Sequence, residues 1–235
     1  MKEVLSKTII TSLITLLILI TSLLLPSKRC EAMSRIKFPK IVELPAPRHD
    51  SNFSVERALL ERRSVRSYSK NPLTLNEISQ ILWASQGITR KGVYRTAPSA
   101  GALYPLEAYI VVGNVTDLAA GVYNYKPHEH KLVRSIDGDK RADLYQAALS
   151  QSPVKNAPAV LVICAVYERT TGKYGERGIR YVLMEAGHAA QNICLQVVSL
   201  DLKSVVIGAF SDREVKKITN CKPNEHPLYI IPIGR

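Results

Sequence analysis

The sequence predicts an α+β domain behind an uncharged hydrophobic N-terminal stretch. Three observations carry that prediction. Short segments of alternating or unbroken apolar character, such as "LEAYIVVG" and "APAVLVICAVY", read as strands. Longer segments with apolar residues three and four apart, such as "SVERALLERRS" and "PLTLNEISQILWASQGI", read as helices. Their order along the chain is too irregular for a doubly wound βαβ array. At 235 residues the chain is long enough for one sizeable core plus an appendage.

The appendage comes first. Ile9 to Pro26 carries no charge and approaches the ~20 residues that a helix needs to cross a bilayer. With Lys2 and Lys7 before it and Ala32 as a cleavage position, it also has the form of a secretory signal. Lys28, Arg29, Arg35 and Lys37 follow it and outweigh the positive charge in front. The positive-inside rule therefore favours an uncleaved anchor with the rest of the chain on the cytoplasmic side, and secretion after cleavage is the alternative. "MSRIKFPKIVELPAPRHDSN" is rich in proline and charge and reads as an extended linker. The expected organisation is an anchor or signal over 1–33, a linker over 34–53 and a globular domain over 54–235.

Within the domain each element has a local cause. Ser54 is placed to cap the first helix, whose wetter face carries Arg57 to Arg63. Thr74 caps the second with Glu77 three residues on, and Gly87 ends it. A bare loop, "TAPSAGALYP", leads into the strand "LEAYIVVG". "GVYNYKPHEHKLVRSI" reads as a hairpin about a Pro-His-Glu-His turn, and "DKRADLYQAAL" as a helix. "APAVLVICAVY" is apolar nearly throughout, which fits a strand covered on both faces. "YVLMEAGHAAQNICLQVVSLDL" is the longest helix, apolar around most of its circumference, and belongs at the centre or at an oligomer interface. "SVVIGAF" reads as a strand ending in glycine, "DREVKKI" as a short helix and "PLYIIPIGR" as the closing strand.

Composition excludes some functions. There are 32 Lys and Arg against 20 Asp and Glu, a net charge of +12, but the basic residues are scattered with no aromatic-interleaved block, which argues against nucleic-acid binding. Cys30, Cys164, Cys194 and Cys221 form no CxxC pair and no Cys/His cluster of metal-ligand spacing, so no metal site is expected. Cys164 and Cys194 sit in apolar runs and read as packing residues. No GxGxxG, Walker loop, GxSxG or HExxH is present.

Four places have residues suited to chemistry. Arg62, Arg63 and Arg66, with Ser64 between, concentrate guanidinium forks that suit phosphate or carboxylate, or else form a solvated basic turn. Pro98, Ser99, Ala100 and Gly101 present a backbone that a flat ligand can approach closely, or else form an ordinary tight loop. Gly208 and Ala209 bare the backbone just past a strand end, where ligands of α/β sheets commonly sit, or else mark a bulge. Lys173 and Tyr174 are suited to proton transfer, with burial bringing the lysine toward neutrality. His188, inside an apolar helix, reads as a hydrogen-bonded core histidine. Arg235 ends the sequence either as a phosphate contact or as a solvated cation.

Taken in order, "RRSVR", "APSAGALYPLEAY", "GVYNY", "EAGHAAQN" and "IGAF…PLYIIPIGR" resemble the nitroreductase superfamily, and within it the SagB-type branch of peptide-azoline dehydrogenases. The resemblance covers roughly 54–235. It implies a mixed central sheet flanked by helices, with FMN at the interface of a homodimer. It implies that Arg62, Arg63, Ser64 and Arg66 hold the flavin phosphate and ribityl chain, and that Pro98 to Gly101 lie along the partner subunit's flavin. It implies that Gly208 and Ala209 lie near the isoalloxazine ring. The implied reaction is ping-pong hydride transfer through flavin N5, with NAD(P)H or an oxidisable C–H bond as donor and a small molecule or a peptide as substrate. Lys173 and Tyr174 match a Lys-Tyr pair that assists deprotonation in the peptide-oxidising members. A membrane anchor is foreign to that group. A membrane-linked flavin- or ligand-binding module without turnover is the alternative.

Overall fold

The computed structural model describes residues 40–90 and 94–235. The expected anchor or signal over Ile9 to Pro26 lies outside the described residues. Among the described residues no helix is long and apolar enough to cross a membrane.

The centre is a seven-stranded sheet in the order β1-β6-β5-β4-β7-β9-β8. Its strands are β1 (Ile41–Glu43), β4 (Leu106–Val112), β5 (Gly121–Lys126), β6 (Lys131–Asp137), β7 (Ala159–Ala165), β8 (Lys203–Ser204) and β9 (His226–Gly234). A separate two-stranded piece pairs β2 (Ile88–Arg90) with β3 (Tyr94–Arg95). Every strand-to-strand ladder is antiparallel. The parallel component of the sheet is confined to isolated bridges, of which Ser64 with Ser204 matters most because it ties the segment after the first helix to the β8 edge. The stretch read as a linker contributes β1, which pairs with β6 from Ile41 opposite Val133 to Glu43 opposite Lys131.

The period-2 pattern of the strands explains why both faces of the sheet are covered. On β7, Ala159, Leu161, Ile163 and Ala165 enter one core, while Val160, Val162 and Cys164 enter the other. The first core receives α2 (Leu75–Gln86) and α6 (Arg177–Ser199) through Ile78, Ile81, Leu82, Val182, Ala189 and Ile193. The second receives α3 (Arg141–Ala147), α4 (Ser152–Asn156) and α7 (Asp212–Thr219) through Leu144, Val154 and Val215. An antiparallel sheet usually leaves one face to solvent, and here helices shield both. Two further helices, α1 (Val55–Glu61) and α5 (Glu168–Tyr174), flank α6.

The helix starts follow their caps. Ser54 Oγ accepts the Arg57 amide at 3.1 Å. At α2, Thr74 Oγ1 accepts the Glu77 amide at 3.2 Å while the Glu77 carboxylate accepts the Thr74 amide at 2.8 Å, a complete capping box. Arg235 is not a freely solvated cation: its Nη2 lies 2.5 Å from the Glu77 carboxylate. Thr74→Ala is therefore expected to lower stability by about 1 kcal/mol, read as a reduced urea midpoint with an unchanged m-value.

Two expectations are corrected. "SVVIGAF" is not a continuous strand: only Lys203 and Ser204 pair with β9, and beyond them Ile207 alone bridges to Ile230. Val205 and Ile207 still turn into the second core, so the side-chain alternation survives where the backbone ladder lapses. His188 is exposed, not a core residue, because it lies on the side of α6 that faces away from the sheet.

Candidate active site

The segment after α1 is held against the sheet edge by the Val65 amide, which donates to the Ser204 carbonyl at 2.9 Å. That contact presents Arg62, Arg63 and Ser64 to a cavity of about 280 Å³. Gly187 and Gln191 of α6 line its other side, with Val206 and Tyr229 from the sheet edge. A Cβ on Gly187 would meet nothing within 4 Å, so its absence keeps this space open. Among the described residues none of Arg62, Arg63 and Arg66 is ion-paired with a carboxylate, and every other ion-paired arginine lies elsewhere. Arg63 spends part of its fork locally, since Nη1 donates at 2.8 Å to the carbonyls of both Leu60 and Arg62. Those carbonyls belong to the open C-terminal end of α1, which this arginine closes. Arg66 is exposed and outside the cavity lining, as are Gly208 and Ala209.

Pro98 to Gly101 form a second locus. Ala100–Ala102 is a 3-10 turn in which Gly101 has φ +63°, followed by Ala102 at +54° and Tyr104 at +46°. Left-handed backbone suits glycine and is unfavourable for the other two. Ser99 Oγ closes the turn by accepting the Tyr104 amide at 2.9 Å. An added Cβ on Gly101 would lie 2.9 Å from Tyr174 Oη and 3.2 Å from Lys173 Nζ. The fold thus brings the bare turn and the Lys-Tyr pair into contact from distant parts of the chain. The pair ends α5, where Gly175 at φ +57° turns the chain into α6. Lys173 Nζ lies 5.4 Å from the Tyr174 ring centroid, and that ring packs edge-on against Tyr181 at 5.2 Å. The burial expected of Lys173 is not found: its side chain follows the open side of a short surface helix and is exposed in the single chain.

Sequence reasoning missed the polar group next to this turn. Glu185 is 3% exposed. Burial pushes its carboxyl up to about 7, against the Ser99 hydroxyl and the Arg95 charge, which both favour the ionised form. Arg95 donates to Gln86 Oε1 at 2.7 Å and stacks 4.6 Å from the Tyr104 ring centroid. Arg169 pairs with Glu107 at 2.6 Å and donates to the Tyr104 carbonyl at 3.0 Å. A signal for Glu185 was present in its spacing. It stands three residues after Val182 and four before Ala189, both fully buried, so a charge falls on the inner face of α6.

The ionisation of Glu185 has a defined sign. Unfolded, it titrates near 4.5; folded, it holds its proton to about 7. Its contribution to stability is complete below about 4.5, declines as pH rises because the unfolded chain releases the proton first, and is lost above about 7. The span corresponds to roughly 3 kcal/mol. Glu185→Gln is expected to flatten this dependence, so that from pH 5 to pH 8 the wild type loses more melting temperature than the variant.

Comparison with known proteins places the chain in a family. The family model described as "Nitroreductase family" matches residues 59–235. The Methanocaldococcus jannaschii protein MJ1384, assigned by name to the nitroreductases, is 49% identical over 181 residues, covering 77% of this chain and 90% of its own. A solved Ralstonia eutropha chain, assigned likewise, superposes with a TM-score of 0.73 at 27% identity, covering 84% of this chain and 90% of that one. The Escherichia coli microcin B17-processing protein McbC is 29% identical, covering 81% of this chain and 70% of its own. A chain of the E. coli microcin synthetase McbBCD complex, solved with truncated pro-MccB17 bound, superposes with a TM-score of 0.63 at 26% identity, covering 90% and 82%. With its antiparallel sheet shielded on both faces and a family match over three-quarters of its length, this chain belongs to the nitroreductase family.

Proposed function

We propose that the protein is an FMN-dependent oxidoreductase of the SagB-type, dehydrogenase-like branch that works as a homodimer. The observation that carries this reading is the placement of two half-sites about α6: a cavity lined by Arg62 and Arg63, neither of which has a carboxylate partner among the described residues, and a bare turn against Lys173 and Tyr174. The residues present fit FMN. Arg62 and Arg63 have donors suited to a phosphate, Ser64 and Gln191 suit a polyol chain, and Gly187 leaves room for both. When bound, FMN supplies two-electron hydride chemistry, and the protein supplies binding, orientation and proton handling. In that division Lys173 and Tyr174 hold and move the proton at the substrate atom, and Gly101 keeps the space before them clear. Gly208 and Ala209 offer exposed backbone near the sheet edge.

Exposed apolar residues support the dimer. Leu59 and Leu60 of α1 are 55% and 72% exposed, and Leu183 and Met184 of α6 are 48% and 52% exposed. They lie on two helices in contact with each other, and a second copy covering them would remove a large apolar surface from water. Such a copy would also bring its own Pro98–Gly101 turn to the cavity, which one chain leaves without it. The likeness to McbC supports a peptide as the oxidised substrate, itself the electron donor; NAD(P)H is the alternative donor, for reduction of a small molecule. The N-terminal segment over 9–26 is proposed to tether the domain to the cytoplasmic face of a membrane.

The test is the visible spectrum of the purified full-length chain before and after anaerobic NADPH or NADH. A flavin spectrum that bleaches supports a reductase. One unmoved by either nucleotide shifts the reading to peptide oxidation or to binding without turnover, and a folded protein that stays colourless with added FMN removes the flavin site. Lys173→Ala is expected to lower turnover about 100-fold with FMN affinity unchanged. Full NAD(P)H oxidase activity in that variant would remove a general role for the lysine.

A further inference from the structure

A separate pocket of about 370 Å³ lies beside the bare turn. Tyr104, where that turn ends, lines it together with Arg95 of β3, Glu107 of β4, Lys126 at the end of β5 and Arg169 of α5. Its charges do not balance. Glu107 is taken by Arg169, whose Nη2 lies 2.6 Å from the carboxylate and whose Nη1 donates to the Tyr104 carbonyl at 3.0 Å. Glu129, exposed at the same pocket, lies 3.8 Å from Lys131. Lys126 and Arg95 form no ion pair among the described residues. Arg95 gives Nη1 to Gln86 Oε1 at 2.7 Å and lays its guanidinium 4.6 Å from the Tyr104 ring centroid, and its Nε is buried without a partner. The carboxyls that face it are Glu107, already paired, and Glu185, which holds its proton to about 7. Both cations are half-buried, where a charge without a counter-ion is costly and an anion that supplies one is favoured.

The pocket adjoins the Lys-Tyr pair. Arg169 stands four residues before Lys173, on the same face of α5. Tyr104 stands three residues after Gly101, against which Lys173 and Tyr174 lie. Four residues of helix rise about 6 Å, so a ligand one helical turn long reaches from the pair into the pocket. We propose that this pocket is a carboxylate subsite of the same active site, in which Lys126 and Arg95 donate to a carboxylate of the substrate while its reacting atoms lie before Lys173 and Tyr174. The inference rests on the proposed role of that pair and adds the substrate class. The substrate carries a carboxylate about 6 Å from the reacting atoms, either as a small aromatic acid or as an acidic side chain beside the reacting residue of a peptide. A carboxamide of the same shape is rejected, because it leaves both cations without a counter-ion and turns an N–H toward them.

Two matched pairs of probes test this on the full-length chain by saturation-transfer NMR: benzoate against benzamide, and N-acetylglutamate amide against N-acetylglutamine amide. The acid is expected to bind about tenfold tighter than its amide, and a preference confined to one pair names the source of the carboxylate. Lys126→Ala is expected to weaken binding of the preferred acid about tenfold, the loss of one hydrogen bond between charged groups. Should that variant fail to fold, Lys126→Gln, which keeps the side-chain stem, replaces it. Acid and amide bound alike in both pairs, or wild-type affinity for the acid in the Lys126 variant, overturns the proposal. Loss of the acid in Arg62→Ala alone would place the carboxylate in the other cavity and overturn it too. In turnover with NADPH, kcat/KM for 4-nitrobenzoate is expected to exceed that for 4-nitrobenzamide about tenfold, a ratio that falls toward one in the Lys126 variant. A ratio near one in wild type separates the pocket from the active site and overturns the proposal. Failure of FMN to bind removes the flavin reading, and the benzoate and glutamate comparisons still decide the subsite.

Discussion

Gly101→Ala is expected to cut flavin-dependent turnover at least 100-fold while leaving the protein folded. Two effects meet at this residue. At φ +63° an alanine bears the left-handed strain of roughly 1–2 kcal/mol, a loss of about 2–8 °C in melting temperature for a domain of this size. The new Cβ would also lie 2.9 Å from Tyr174 Oη and 3.2 Å from Lys173 Nζ. Both atoms are the ends of side chains that can swing aside, so the fold survives the crowding. They are also the two groups whose placement matters for proton transfer, and a displacement of about 1 Å at such a site commonly costs 100-fold. The measurement is kcat/KM with NADPH beside the melting temperature. Wild-type turnover in a destabilised Gly101→Ala protein would remove the turn from the reaction.

Arg62→Ala is expected to weaken FMN binding by about 10- to 150-fold with little change in stability. A hydrogen bond to a charged group is worth about 1.5–3 kcal/mol, which sets that range. Stability should hold because Arg62 lines the cavity and has no carboxylate partner among the described residues. Arg63→Ala should differ in kind. It removes the donor to the Leu60 and Arg62 carbonyls and so lowers stability as well as affinity. Arg66→Ala should have the smallest effect of the three, since its side chain lies outside the cavity lining. Titrating FMN into each variant by fluorescence quenching separates them. Unchanged affinity in Arg62→Ala would remove the arginine cluster as the phosphate site.

Much of the fold was legible because its causes are local. Ser54 and Thr74 cap helices through bonds three residues away, and both form as their spacing implies. The double cover of β7 follows from its unbroken apolar run, and the turn between β5 and β6 from a short polar loop. The run "SVVIGAF" was misread because side-chain alternation persists at an edge where the backbone ladder does not. His188 was misplaced because an apolar neighbourhood in sequence says little about which side of a long helix faces the sheet. α6 leaves an apolar residue, Met184, in the open one turn before it.

The sequence by itself determined where helices start, which strands are doubly covered, where the backbone is bare at Gly101, and that arginines cluster after the first helix. Each depends on residues within a few positions of one another. Only the tertiary structure decided that Gly101 meets Lys173 and Tyr174, that Arg63 closes a helix end, that Arg235 joins the Thr74–Glu77 cap, and that Glu185 holds a proton near neutral pH. These depend on through-space distance and on the removal of water around a charge. Neither is encoded in the spacing of residues along the chain until the sheet and its helices have closed around them.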